Sequence, residues 1–236
     1  MAGPYGYERG ISLADTAITL VGVRKAYGSR IALDDVTWTA EAGKVHGIIG
    51  ANGSGKTTLL KILAGLAVFD EGRASVLGMD LIRRRHRIAP GICIALEGMS
   101  LLPQFTGRDN LRLLASLRGP VDMIEIDETL ARLGLEPRDH RLVRAYSLGM
   151  RQRLNLAQAV LGRPRLLLWD EPTNGLDPDG AASLLAMMAE PSDVTIVMAS
   201  HRVDEVAEVC DFVWEMKDGR LSALAPASKP SERRQP

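Results

Sequence analysis

The sequence predicts an α/β fold in which a mostly parallel sheet is flanked by helices. Two apolar runs of strand length, RLLLWDEP (165–172) and VTIVMASH (194–201), lack polar alternation, as is typical of parallel strands covered on both faces. Segments with a helical apolar period lie near 179–189 and 202–209 and separate the later strands. In addition, KVHGIIG (44–50) leads through a glycine-rich loop directly into a helical run. These observations favour alternating strands and helices around one core.

The N-terminal part carries strand signals before the glycine-rich loop. Its first strand signal is AITLVGV (17–23), and residues 1–17 are expected to form an N-terminal extension. After the loop, apolar side chains recur with a helical period, and a glycine stands where that helix should end. The predicted buried face comprises Leu59, Leu60, Ile62, Leu63 and Leu66, and the helix is expected to end near Gly65.

Residues from about 98 to 163 predict a helical insertion, because helix signals replace strand signals there. Thr106 and Asp109 have the spacing of a capping box, which predicts a helix start. A second helix is expected to begin at Asp127, and a third is expected to span about 149–161.

The balanced charge argues against nucleic acid as the main partner. The chain has 29 basic and 29 acidic residues, so no excess of positive charge is present to neutralise a phosphate backbone. Cys93 and Cys210 lie far apart in apolar surroundings, which indicates core residues in a reducing compartment. No apolar run approaches the ~18 residues of a membrane span, and the start lacks the features of a secretory signal. We expect one domain over 18–222 and a disordered tail, rich in Pro and Ser, over 223–236.

The run GANGSGKT (50–57) matches the pattern G-x-x-x-x-G-K-[ST] between a strand and a helix. In such a loop the backbone N–H groups wrap around the β-phosphate of a nucleotide, and Lys56 reaches the β- and γ-phosphates. The Thr57 hydroxyl can bind Mg²⁺. An ordinary glycine turn with an exposed lysine is the alternative, and the strand-to-helix context argues against it. The predicted nucleotide contacts are Gly50, Asn52, Gly53, Ser54, Gly55, Lys56, Thr57 and Thr58.

Two adjacent acids, Asp170 and Glu171, follow the apolar strand LLLW. A hydrolase of nucleoside triphosphates needs an acid beside its metal and a group that activates water. We predict Asp170 as the acid on the metal side and Glu171 as the general base. The alternative is that both are solvated charges at the end of a strand.

Five motifs in order resemble those of an ABC-type ATPase, the nucleotide-binding subunit of an ATP-binding-cassette transporter, over roughly residues 18–222. The resemblance implies a P-loop nucleoside-triphosphatase core with an N-terminal antiparallel β portion, and ATP and Mg²⁺ as cofactors. It implies that Tyr27 stacks on adenine, that Asp177 belongs to the D-loop, and that His201 senses the γ-phosphate as a second catalytic residue. The alternatives are a surface aromatic for Tyr27 and helix caps for Asp177 and His201. The five motifs are GANGSGKT, YSLGMRQR (146–153), LLLWDEP, NGLDP (174–178) and SH (200–201).

The run YSLGM matches the family's signature turn, which contacts the γ-phosphate of ATP held by the other subunit. The resemblance therefore implies that Ser147 and Gly149 bind the nucleotide of a second chain, in a homodimer or a heterodimer. The run departs from the common LSGGQ pattern, since Tyr146, Leu148 and Met150 replace Leu, Gly and Gln. A plain helix start with Ser147 as N-cap is the alternative.

A second departure is Glu97, which follows GICIAL where most of the family has a glutamine near Mg²⁺ and the transmembrane partner. Gln104 is a rival for this position. A glutamate here, together with YSLGM, is similar to the ATPases of bacterial antimicrobial-peptide exporters of the bacitracin-resistance and lantibiotic self-protection types. We predict that Glu97 lies beside the nucleotide and the metal.

The expected function is therefore an ATP-hydrolysing subunit that powers an exporter of antimicrobial peptides or drugs. Separate transmembrane permease chains would hold it at the cytoplasmic face of a bacterial membrane. The alternatives are the ATPase of an importer and a soluble ABC ATPase of translation or DNA repair. A nucleotide kinase or a switch GTPase would share the glycine loop but would not need the signature turn.

Overall fold

A computed structural model describes residues 16–82, 90–96, 101–116, 122–161, 164–190 and 192–224. Within these ranges the chain forms ten strands and six α-helices. The strands are β1 (Thr16–Tyr27), β2 (Arg30–Glu41), β3 (Val45–Ile49), β4 (Glu71–Val76), β5 (Met79–Asp80), β6 (Ile92–Ala95), β7 (Leu166–Asp170), β8 (Thr195–Ser200), β9 (Phe212–Lys217) and β10 (Arg220–Ala223). The helices are α1 (Lys56–Leu63), α2 (Gly107–Ser116), α3 (Met123–Arg132), α4 (Leu148–Val160), α5 (Pro178–Ala189) and α6 (Val203–Val209).

Two sheets organise the molecule. The larger sheet has the order β10-β9-β3-β8-β7-β6, and every neighbouring pair in it is parallel except β10 with β9. The smaller sheet, β2-β1-β4-β5, is antiparallel and comes largely from the N-terminal part of the chain. The predicted combination of a mostly parallel sheet and an N-terminal antiparallel portion is thus confirmed.

The larger sheet is covered on both faces, which explains why its strands are apolar without alternation. On β7, Leu166 and Leu168 pack in the core beside α1 and the antiparallel sheet, whereas Leu167 and Trp169 pack on the opposite face with the other helices. Successive side chains of a strand point to opposite faces, so two separate cores are filled by one continuous apolar run.

The helical insertion lies between β6 and β7, two neighbouring parallel strands. Its first helix is capped as predicted, because Thr106 Oγ1 accepts a hydrogen bond from the Asp109 N–H at 3.1 Å. The predicted start of the second helix at Asp127 is wrong: α3 begins at Met123, and Asp122 accepts from the Ile124 N–H as its N-cap. Asp127 lies inside the helix and binds Arg108 instead, through two hydrogen bonds of 2.6 and 2.7 Å.

The described strands extend slightly beyond the predicted domain limits, since β1 begins at Thr16 and β10 ends at Ala223. Cys93 and Cys210 are free and buried, in agreement with their prediction as core residues. In the described ranges, no helix has the length and apolarity that crossing a bilayer would require.

His46 on β3 should make folding sensitive to acid. Its buried ring stacks on Phe212 with 5.2 Å between ring centroids, and burial lowers the pKa of His46 below 6.5 despite a hydrogen bond to the Glu41 carbonyl. The unfolded chain therefore binds a proton at His46 more readily than the folded chain does. The contribution of His46 to the free energy of unfolding is fully present above about pH 6.5, and it is lost as the pH falls toward the lowered pKa of the folded chain. We expect the urea midpoint to decrease between pH 7.5 and 5.5, and to decrease less for His46→Phe. Equal decreases in both proteins would contradict this role of His46.

Candidate active site

Three functional loops lie together because they follow three neighbouring parallel strands. The sheet order β3-β8-β7 places the carboxyl ends of these strands side by side. The glycine loop follows β3, Glu171 follows β7 and His201 follows β8. Ligands of open α/β sheets bind at this edge, so the topology brings the predicted catalytic residues to the expected place.

The glycine loop is packed too tightly for side chains at two positions. A Cβ on Gly50 would lie 2.3 Å from the Met216 carbonyl oxygen, and a Cβ on Gly55 would lie 2.4 Å from that of Ala32. Gly55 also has φ 120°, which side-chain-bearing residues rarely adopt. These glycines are therefore required by the backbone path that leads into α1.

The N-terminus of α1 presents free N–H groups to this loop. No side chain caps the helix, and its first turn contains no acid. The unpaired N–H groups and the helix dipole make such a terminus a binding site for an anion. Lys56 is buried beside it, and its Nζ donates to the carbonyls of Gly50 at 2.7 Å and Ala51 at 3.2 Å. The geometry suits the phosphates of a nucleotide.

Thr57 and Asp170 place two oxygen atoms at the site that could act as metal ligands. The Thr57 hydroxyl donates to Asp170 Oδ2 at 2.6 Å, and Asp170 is 5% exposed. The described residues contain no cluster of three or more His, Cys, Asp or Glu side chains that could hold a metal. Mg²⁺ does not need one, since it binds through one or two carboxylates, water and phosphate oxygens. The pair therefore fits Mg²⁺ bound together with a nucleotide.

Glu171 is held in a strained backbone conformation between two side chains. Its φ is 50°, in the left-handed region, and its N–H donates to the Ala199 carbonyl at 2.8 Å. Its Oε2 lies 2.8 Å from His201 Nδ1, and its Oε1 lies 3.8 Å from Lys56 Nζ. Such strain persists only where the surroundings determine it, and it is concentrated at functional sites. The carboxylate of Glu171 is thus fixed beside the buried ammonium of Lys56.

The pocket at this edge has a volume of about 420 Å³, within the range of small-molecule sites. Tyr27 lies at its side, half exposed, with Lys25 Nζ 5.0 Å from the ring centroid. Arg30 also lines the pocket and donates to the Gly53 carbonyl at 3.1 Å, a contact that no pattern in the sequence indicates. The lining residues are Tyr27, Arg30, Ala32, Asn52, Gly53, Gly55, Lys56, Thr57, Thr58, Lys61, Asp170 and Glu171.

The predicted signature turn does not line this pocket in its own chain. Ser147 is the N-cap of α4, since its Oγ accepts from the Met150 N–H at 3.1 Å. This leaves the hydroxyl hydrogen free to donate to a ligand. Leu148 is 71% exposed, and Gly149 lies against the Gly175 carbonyl, 3.0 Å from a Cβ built on Gly149.

Asp177 does not line this pocket. Asp177 occupies the N-cap position of α5 without capping it through its side chain, which binds Arg153. Glu97 lies outside the described residues. Its rival Gln104 is exposed, and the described part of the chain gives it no contact with the pocket.

A family model for ABC transporters matches residues 33–174, more than half of the chain. The chain belongs to this family. It is an ATP-binding and ATP-hydrolysing subunit of the ABC-transporter type. The motif-based resemblance is therefore confirmed.

Several bacterial relatives are named for antibiotic transport or resistance. The bacitracin transport ATP-binding protein of Bacillus licheniformis is 34% identical over 214 residues, 89% of this chain and 70% of its own length. The lantibiotic transport ATP-binding protein of Streptococcus pyogenes is 34% identical over 206 residues, 86% and 88% of the two chains. The daunorubicin resistance ATP-binding protein of Streptomyces coeruleorubidus is 35% identical over 222 residues, 92% and 70% of the two chains.

The fold of this ABC subunit is also that of solved cassettes. An ATP-binding cassette solved as a dimer in a post-hydrolysis state with ADP and phosphate superimposes with a TM-score of 0.78 at 24% identity. The superposition covers 88% of this chain and 99% of that one. The predicted ABC ATPase fold, including its helical insertion, is confirmed.

Proposed function

We propose that this chain powers an exporter of antimicrobial peptides or drugs. The supporting observation is that relatives covering most of the chain are named for bacitracin transport, lantibiotic transport and daunorubicin resistance. Glu97 and the sequence YSLGM in the signature turn also favour an exporter. In this proposal the ATPase domain spans 18–222, and one or more transmembrane permease chains bind it at the cytoplasmic face of the membrane.

We further propose that two chains, identical or related, enclose ATP between them. Each glycine loop would hold a nucleotide, and Ser147 and Gly149 of the other chain would complete its site. The position of the signature turn supports this, because Ser147 and Leu148 are exposed at the start of α4 and do not line the pocket of their own chain. ATP would then favour the closed pair, because it binds that state better than the open one.

Within each site the residues have separate roles in binding and hydrolysis. Lys56 and the N–H groups of the glycine loop bind the phosphates, and Tyr27 stacks on the base. Thr57 and Asp170, with Glu97 as a predicted neighbour, would hold Mg²⁺, which neutralises charge on the phosphates. Glu171 accepts a proton from the attacking water, and His201, 2.8 Å from its carboxylate, orients that side chain.

The transport proposal is tested in cells that carry the Glu171→Gln variant in place of the native chain. We expect increased sensitivity to at least one of bacitracin, a lantibiotic or daunorubicin, because the pump would bind ATP without turning over. Restoring the native chain should restore resistance. Unchanged sensitivity to all three compounds, together with impaired uptake of a labelled nutrient, would contradict export and would indicate an importer.

A further inference from the structure

Arg30 is a cation of the pocket that has no acidic partner among the residues that the structure describes. Its side chain is exposed and lines the pocket. The neighbouring cations on β1 are paired, since Arg24 Nη1 lies 3.0 Å from Glu71 Oε1. Likewise, Lys25 Nζ lies 2.9 Å from Asp70 Oδ1. A guanidinium carries five N–H donors in a planar fork, so Arg30 can donate hydrogen bonds to a ligand.

The Arg30 side chain lies between Tyr27 and the glycine loop. Tyr27 and Arg30 pair across the two-residue turn that joins β1 to β2, so their side chains stand on the same face of the hairpin, with Cβ atoms about 5 Å apart. From this position Arg30 Nη2 donates to the Gly53 carbonyl at 3.1 Å, and it lies 3.0 Å from a Cβ built on Gly53. The guanidinium is therefore held beside the loop before any ligand binds.

A nucleotide that occupies the predicted contacts passes Arg30 at its α-phosphate. With adenine on Tyr27 and the β- and γ-phosphates at Lys56, the ribose and the α-phosphate must span the distance between those two residues. Lys56 Nζ also lies 3.8 Å from Glu171 Oε1, so part of its charge is balanced within the chain. An arginine fork matches the oxygens of a phosphate, and a charge-assisted hydrogen bond is stronger than a neutral one.

We propose that Arg30 is a binding residue for the α-phosphate of the nucleotide. The inference rests on the proposed placement of adenine on Tyr27 and of the outer phosphates on Lys56. Because ATP and ADP share the α-phosphate, Arg30 contributes equally to the binding of both. The bond that is broken lies at the γ-phosphate, so the loss of this contact appears in KM and not in kcat.

The test compares the native chain with Arg30→Gln by equilibrium titration in the presence of Mg²⁺. We expect the affinities for ATP and for ADP to fall by the same factor, about tenfold, because one charge-assisted hydrogen bond is lost. In steady-state hydrolysis, KM for ATP should rise in parallel, whereas kcat should change by less than about twofold. Arg30→Lys should recover part of the affinity, because it keeps the charge but not the fork.

The matched control is Arg24→Gln. It makes the same substitution on the same hairpin, but Arg24 binds Glu71 and does not line the pocket. We expect this variant to bind ATP and ADP with the affinities of the native chain.

Two further ligands separate a contact with the α-phosphate from other roles of Arg30. Pyrophosphate should bind the native chain and Arg30→Gln equally, because the glycine loop and Lys56 hold it. A loss as large as that for ATP would mean that Arg30 only shapes the loop through Gly53, and it would overturn the proposal. 2′-Deoxy-ATP should lose affinity by the same factor as ATP. A smaller loss would assign Arg30 to the ribose hydroxyl and would also overturn it.

Unchanged affinity of Arg30→Gln for both nucleotides would contradict the proposal, as would a loss confined to ATP, which would place Arg30 at the γ-phosphate. Titration of Tyr27→Ala and Lys56→Met distinguishes this failure from a failure of the proposed site. If neither variant binds ATP more weakly, the nucleotide does not occupy the predicted contacts. If both do while Arg30→Gln keeps the native affinity, only the role of Arg30 fails.

Discussion

Replacing Glu171 with glutamine is expected to lower kcat for ATP hydrolysis by about 10²-fold or more. Glutamine has nearly the same size and can keep a hydrogen bond to His201, but it cannot accept a proton from water. The groups predicted to bind the phosphates, Lys56 and the glycine loop, are untouched. We therefore expect the affinity for ATP to change little, and an ATP-bound pair of chains to accumulate because the nucleotide that holds it closed persists.

Phosphate release under saturating ATP measures the first effect, and light scattering with and without ATP measures the second. Glu208→Gln is the matched control, because it makes the same substitution on the exposed face of α6. The control should hydrolyse ATP like the native chain. Turnover by Glu171→Gln at the native rate would remove Glu171 from the role of general base.

The parts of the fold that could be predicted from the sequence are those encoded by local patterns. Strands β7 and β8 were recognisable because a strand buried on both faces is apolar throughout. The glycine loop was recognisable because its chemistry belongs to the backbone, and only a few residue types permit its path. The N-cap at Ser147 was the alternative to a nucleotide contact, since a hydroxyl before a helical run indicates a cap, and the structure has that cap.

The parts that could not be predicted depend on contacts between distant residues. Asp127 resembles a helix cap in sequence, but its partner Arg108 belongs to another helix, and the actual cap is Asp122. Arg30 reaches the Gly53 carbonyl of the glycine loop from the hairpin formed by β1 and β2. The ion pair of Arg153 with Asp177 joins α4 to the residue that precedes α5. Neither propensity nor periodicity reports such pairs, because both describe only neighbours along the chain.

Replacing Lys56 with methionine is expected to abolish most of the binding of ATP. Methionine keeps an unbranched apolar side chain in the buried position but removes the charge that would bind the β- and γ-phosphates. A charge-assisted hydrogen bond contributes roughly 1.5–3 kcal/mol, so the loss of one corresponds to an affinity about 10- to 150-fold weaker. Equilibrium titration with a fluorescent ATP analogue measures this change directly.

Thermal stabilisation by ATP gives an independent measure, because each variant is compared with its own nucleotide-free state. At an ATP concentration of about 100 times the native Kd, binding stabilises the native chain by about 2.7 kcal/mol. A variant that binds about 100-fold more weakly retains about 0.4 kcal/mol under the same conditions. Lys44→Met, on an exposed lysine before β3, should keep the full stabilisation. If Lys56→Met kept it too, the buried lysine would be part of the core and not the phosphate-binding group of this ATPase.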